Sequence, residues 1–215
     1  MAIKLWGRAS SANVQKVRWT LAELGLPYDH VEIGGRFGGN DTPEYLAVNP
    51  NGLVPTLTDG ELVLWESHAI VRYLAAQYGA GTLWPQNPVT RAEADRWTDR
   101  TATTFQPAWI GVFWKFYRTP AAERDEAAIA AAIAATERCF GIMDARLAAS
   151  PYLGGDRLTY ADIVAGTAMY RWRTMGIERK THGKVERWAD RFTGSEIYRN
   201  TVAIDYSELA GRTAA

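Results

Sequence analysis

The chain has a single cysteine, Cys139, and three histidines, His30, His68 and His182. One thiol excludes an internal disulfide framework and a multi-cysteine metal site. Three scattered histidines give none of the spacings that zinc ligands show, so no metal is expected. An excess of either charge is missing as well: 24 Lys and Arg stand against 24 Asp and Glu in 215 residues. No surplus remains to neutralise a phosphate backbone or an anionic lipid surface, so neither nucleic acid nor membrane is expected as a partner. Long hydrophobic runs are also absent. The alanine-rich stretch near 127–135 is short and flanked by charge, and the opening MAIKLWGRAS reaches lysine and glycine before an apolar signal core can build. A reducing, cytoplasmic setting is the expectation.

What is present divides into two unlike halves. Residues 1–79 alternate strand and helix signals, and residues 90–215 read as helical throughout. The intervening 80–89, Ala-Gly-Thr-Leu-Trp-Pro-Gln-Asn-Pro-Val, reads as a linker rich in glycine and proline. The alternation of Ile3 and Leu5 with Lys4 and Trp6 predicts a strand. Val14, Val17, Leu21 and Leu24 fall at helical spacing, with Gly25 where a helix C-terminal glycine belongs and Pro27 preventing continuation. Tyr28–Ile33 reads as a second strand, and the glycine-rich loop around Phe37 leads to a short helix at Pro43–Ala47. Val54–Thr58 and Leu62–Leu64 read as strands joined at Asp59-Gly60, a strong hairpin signal, and Glu66–Tyr78 as a helix.

A βαβ unit requires a parallel crossover and a tight hairpin an antiparallel pair. The order βαβ, loop, ββα therefore gives a mixed four-stranded sheet carrying helices, a thioredoxin-like α/β domain, followed by an all-α domain. In the second half, Arg91–Tyr117 and Ala121–Ala149 read as long helices, the first kinked at Pro107. Leu158-Thr159-Tyr160-Ala161-Asp162-Ile163 has the spacing of a capping box. Cys139 reads as a buried helix residue.

Three segments converge on one family. Asn49-Pro50-Asn51-Gly52-Leu53-Val54-Pro55-Thr56-Leu57 resembles the glutathione transferase loop that ends in a cis-proline. Trp65-Glu66-Ser67-His68-Ala69-Ile70 is similar to that family's Glu-Ser-x-Ala-Ile motif, and Leu158–Asp162 to its C-terminal capping box. The resemblance spans essentially the whole chain and is to the serine-type, theta-, zeta- or nu-like members. It implies glutathione as co-substrate, a homodimer contacting through the Glu66–Tyr78 and Arg91–Trp109 helices, and a role in detoxification.

The resemblance also assigns work to particular residues. Val54, before Pro55, would pair its N–H and C=O with the cysteinyl backbone of glutathione, like one rung of an antiparallel ladder. Ser67 falls at a helix N-terminus, where free amides and the dipole suit the γ-glutamyl carboxylate. Glu66 would accept from the ligand's ammonium. Transferases of this type carry a serine or threonine at the first-helix N-terminus that donates to the glutathione sulfur, and counting back from Lys16-Val17 puts Ser11 there. Asn13 and Ser10 remain alternatives for that contact, and all three are also ordinary N-cap residues. The position before Val54 is Leu53, where many relatives carry a basic or glutamine side chain. The glycyl end is thus left to Asn51 or to the loop around Phe37.

Trp109, Phe113, Trp114 and Tyr117, at helical spacing, and Trp172 are candidates for the wall of a second-substrate pocket between the halves. The implied activity is attack of glutathione thiolate on a small apolar electrophile. Glutathione-dependent reduction of a disulfide or peroxide without a protein cysteine is an alternative. So is a non-catalytic protein of this fold that holds hydrophobic ligands. A zeta-like isomerase is disfavoured, because Ser11-Ala12-Asn13 stands where that type has Ser-Ser-Cys.

Overall fold

The computed structural model describes residues 3–212. Strand β1 (Ile3–Trp6) is followed by helix α1 (Ala12–Glu23) and strand β2 (Tyr28–Val31), which pairs with β1 in parallel. Strands β3 (Thr56–Asp59) and β4 (Leu62–Trp65) form an antiparallel hairpin whose turn uses Gly60 at φ +61°, and β3 pairs antiparallel with β1. The sheet order is β2-β1-β3-β4. The alternation seen in β1 is the cause of its orientation: Ile3 and Leu5 are buried, while Lys4 and Trp6 are half-exposed.

Element ends differ from the sequence reading for local reasons. β2 stops at Val31 because Gly34 and Gly35, at φ +82° and +59°, turn the chain back. The third strand begins at Thr56, since Pro55 has no N–H to give the ladder. Helix α3 (Ser67–Tyr78) starts after Glu66, which sits outside it at φ +72°. Between β2 and β3 lies the short helix α2 (Pro43–Leu46).

The remaining chain is helical: α4 (Pro88–Arg100), α5 (Gln106–Val112), α6 (Glu126–Leu147), α7 (Tyr160–Thr174), α8 (Gly183–Thr193) and α9 (Glu196–Thr201). α4 starts earlier than the pattern suggests because Asn87 Oδ1 caps it, accepting from the Val89 and Thr90 amides at 2.8 and 3.3 Å. α6 starts later, at the Asp125 cap beyond Pro120. The expected kink at Pro107 takes another form. π-helical turns at Thr101–Phe105 and Phe113–Arg118 flank α5, and the widened turn ahead of Pro107 absorbs its missing N–H.

Helix α7 is the centre of the second half. Nearly all of its side chains from Tyr160 to Trp172 are buried, and it packs on α1, α3 and α4. Its start is held by Asp162, whose carboxylate accepts from the Leu153 and Thr159 amides, the Thr159 hydroxyl and Trp188 Nε1 at 2.8–3.0 Å. Trp19 of α1 reaches across to Phe192 and Tyr198, with ring centroids 5.0 and 4.9 Å away. Gly166 permits this approach: a Cβ there would lie 2.8 Å from Phe192 and 3.1 Å from Trp19. The two halves thus share one core, which fixes the cleft between them.

Candidate functional site

The turn from β1 into α1 forms one wall of the cleft. Gly7, at φ +141°, passes where a Cβ would meet Val14 at 2.5 Å and Val54 at 3.0 Å, so only glycine lets the turn lie against the Val54 loop. Ser11 is the N-cap of α1, with extended backbone at φ −78° and ψ 124°. Its hydroxyl has no partner among the described residues, and its side chain lines a cavity of about 290 Å³. Ser10 lines the same cavity but differs in chemistry. Its hydroxyl donates to Glu208 Oε1 at 2.6 Å, and its carbonyl accepts from Arg171. Of these two hydroxyls, Ser11's is the one left to serve a ligand.

Asn13, also on the cavity wall, is oriented by its neighbours. Lys16 Nζ (2.9 Å) and Gln106 Nε2 (3.2 Å) both donate to Asn13 Oδ1. With its oxygen doubly engaged, Asn13 turns Nδ2 away from them, and that amide donates to no described residue. Lys16 itself is 1% exposed and sits amid Asn13 Oδ1, Ser67 Oγ at 3.5 Å, His68 Nε2 at 2.9 Å and Gln106 Oε1. It therefore ties α1 to α3 and α5. Burial pushes its ammonium down to about 7, against a weaker upward pull from Glu66. His68 is driven far below its ordinary range, first by burial and then by the charges of Lys16 and Arg72, so it stays a neutral acceptor.

Opposite lies the Val54 loop. The Val54–Pro55 peptide is cis, and neither the Val54 N–H nor its C=O takes a partner among the described residues. The Leu53 carbonyl is held by Tyr45 Oη at 2.6 Å and Asn49 Nδ2 at 2.8 Å, which fixes the loop. Ser67 begins α3, buried, with Glu66 exposed just outside the helix. Asn51 directs both its amide N–H and its side-chain Nδ2 at Asn49 Oδ1 (3.1 and 3.0 Å), so its donors serve the loop. Phe37 is solvent-exposed beneath the Arg36 guanidinium, 4.8 Å from its ring, and the Leu53 side chain is 65% exposed.

The cavity's other wall comes from the helical half: Ala102, Gln106, Pro107, Ile110, Phe113, Trp114, Arg118, Arg171 and Leu209. Of the five aromatic residues expected there, Phe113 and Trp114 line it. Trp109, Tyr117 and Trp172 do not, and the reason is helical phase. Trp109 faces the core, 2% exposed; Tyr117 stacks behind Phe113 at 5.3 Å; Trp172 packs on Phe140 at 5.3 Å. The stripe that meets the cavity is Ala102, Gln106, Ile110, Trp114 and Arg118, at spacing i, i+4, one position round from the purely aromatic one. Its mixed composition was the available signal. For Lys16 the signal was a lysine one turn after Asn13, set between the core residues Val14 and Val17. No comparable signal marked Arg8 or Arg171.

Comparison with known proteins agrees with this geometry. A model of the glutathione S-transferase N-terminal domain matches residues 5–85, and one of the glutathione S-transferase C-terminal domain matches residues 104–196. The chain is similar to glutathione S-transferase GstB of Escherichia coli (strain K12), 43% identical over 95% of this chain and 100% of that one. It is similar to glutathione S-transferase 4 of Zea mays at 32% identity, over 79% and 77% of the two chains. Among solved structures, the theta class glutathione S-transferase of Xanthomonas axonopodis pv. citri with glutathione bound superposes with a TM-score of 0.91 at 49% identity, covering 95% of this chain and 98% of that one.

Proposed function

The chain belongs to the glutathione S-transferase family, and we propose that it joins glutathione thiolate to a small electrophile, with Ser11 holding the sulfur and Asn13 beside it. One observation carries this reading: a hydroxyl and an amide N–H, neither with a partner among the described residues, stand together at the N-terminus of a 12-residue helix, open to the cavity. A thiol of ordinary pKa, about 8.5, is mostly protonated at neutral pH. Donors from Ser11 Oγ and Asn13 Nδ2, together with the positive end of α1, favour the thiolate. Its sulfur then bonds to the electrophilic carbon, and the leaving group departs with the electron pair. Catalysis rests on proximity and on this charge stabilisation.

The tripeptide lies, on this reading, with its cysteinyl backbone on the Val54 N–H and C=O. Its γ-glutamyl carboxylate meets the first-turn amides and hydroxyl of Ser67, and its ammonium meets Glu66. Phe113, Trp114, Ile110 and Pro107 cover the electrophile's apolar body. A homodimer through α3 and α4 and a cytoplasmic setting complete the proposal. In support of the latter, no described helix is long and apolar enough to cross a membrane.

Ser11→Ala is the test. The pKa of bound glutathione, followed by thiolate absorbance against pH, rises by about 1 to 2 units, the equivalent of one charge-assisted hydrogen bond. Turnover at neutral pH falls correspondingly while the unfolding midpoint stays put. An unchanged titration removes Ser11 from this role.

A further inference from the structure

The cavity beside Ser11 is not simply apolar. Three guanidiniums line it: Arg8 from the β1–α1 turn, Arg118 after α5, and Arg171 from α7. None of them forms an ion pair with a described residue. The nearby acids Glu208 and Glu32 pull the Arg8 guanidinium up through charge, against its burial, while their bonds go to other groups. Glu208 pairs with Arg36 at 3.0 Å and accepts from Ser10 Oγ, and Glu32 accepts the Ala9 amide at 3.2 Å.

Arg171 is the most telling of the three. It is 3% exposed; among the described residues its Nη2 reaches only the Ser10 carbonyl and its Nε has no partner. Its guanidinium lies 4.7 Å from the Phe113 ring centroid and 5.2 Å from that of Tyr206. Arg8 Nε is likewise buried without a partner among the described residues. Arg118 donates to the Arg212 carbonyl and lies 4.0 Å over Trp114.

The three also feel one another. Burial lowers the guanidinium of Arg171 to about 10; Tyr206 pulls it back up, and the charges of Arg8 and Arg118 push it down. Arg118 is lowered by burial and then by Arg8. Buried like charges are costly, Glu208 and Glu32 offset only part of the burial of Arg8, and an arriving oxyanion offsets the remainder by charge-assisted hydrogen bonds.

Resting on the transferase reading above, we infer that the second substrate carries a carboxylate or similar oxyanion, which Arg118 and Arg171 receive while its apolar body lies against Ile110, Phe113 and Trp114. The glycyl carboxylate of glutathione is the other source of the same chemistry. Arg118 and Arg171, however, belong to the helical half and share their wall with the aromatic residues. Arg8 is the one that faces the tripeptide side, against Gly35 and near Asn40.

Binding comes first, because it needs no reaction. With glutathione saturating, calorimetry compares nitrobenzoate with nitrobenzene. The acid binds at least about tenfold tighter, the equivalent of one charged hydrogen bond. Arg118→Gln closes that gap and Arg118→Lys keeps most of it. Equal affinities in the wild type overturn the inference. So does nitrobenzoate binding that is seen without glutathione and lost when glutathione saturates, which would give the arginines to the glycyl carboxylate.

Turnover comes second, with chlorodinitrobenzoate against chlorodinitrobenzene, each rate divided by its uncatalysed reaction with glutathione. The ratio of kcat/KM values favours the acid about tenfold and falls towards one in Arg118→Gln. A ratio near one in the wild type overturns the inference. Tight anion binding with no turnover of either compound leaves the anion site standing and sinks the transferase reading instead.

Discussion

Lys16 supplies a prediction whose sign is opposite to that of most buried ion pairs. Its ammonium moves from 10.5 in the unfolded chain to about 7 in the fold, chiefly by burial. Between those values folding expels a proton, so stability rises with pH through that window. Below pH 7 both states hold the proton and the full cost is present; above about 10.5 neither does, and the cost is gone. At about 1.4 kcal/mol for each tenfold in proton affinity, the whole displacement is worth about 5 kcal/mol, of which about 3 kcal/mol falls between pH 7 and pH 9.5. Urea unfolding across that range reads it directly, as a midpoint that climbs with pH in the wild type. Lys16→Met removes the proton and with it the climb. The absolute stability of the variant does not decide the matter, because methionine leaves Gln106 Oε1 and His68 Nε2 without their donor. The slope does, since Cys139 and the tyrosines, whose raised values act in the other direction at higher pH, are common to both proteins. Identical slopes would mean that the hydrogen bonds around Nζ outweigh burial and that Lys16 keeps its charge.

Two further substitutions separate binding from folding. Ser67→Ala raises the glutathione KM about tenfold, the loss of one charge-assisted hydrogen bond, with little change in kcat at saturation; an unchanged KM would show that the hydroxyl serves only Lys16. Asp162→Ala strands the Leu153 and Thr159 amides and Trp188 Nε1 in the centre of the helical half and costs about 3 kcal/mol or more. It appears as a lower urea midpoint at constant m, with turnover per folded molecule preserved.

How far the sequence carried this site depended on whether a feature is local. The helix starts near Ser67 and Thr159 were legible because a cap is chosen by the few residues around it, and that of α1 was narrowed to Ser10, Ser11 or Asn13; the mixed sheet followed from one parallel crossover and one hairpin, while its strand order came only with the fold. The second wall was not legible in the same way. Trp109, Phe113 and Tyr117 form the more apolar stripe after α4, and a more apolar stripe is what a core demands. The stripe facing a cleft must stay tolerable to water when the cleft is empty, and Ala102, Gln106, Ile110, Trp114 and Arg118 meet that condition. Aromatic density alone therefore points mostly at the core and meets the cavity only at Phe113 and Trp114, whereas its interruption by glutamine and arginine marks the lining stripe.

The three arginines make the same point for charge. A net charge of zero hides three guanidiniums drawn from positions 8, 118 and 171, because only the fold brings them to one cavity. Glu208, paired with Arg36, and Glu32 act on Arg8, whereas the ionic charges acting on Arg118 and Arg171 are those of the other arginines, so the balance at that wall of the cleft is positive although the balance of the chain is not. Returning a carboxylate to that cleft should thus relieve it even without chemistry. An Ile110→Asp variant, placing an acid on the same wall, should compete with an anionic ligand and weaken nitrobenzoate more than nitrobenzene. Equal weakening of the two would mean that the wall senses bulk and polarity, not the sign of the charge.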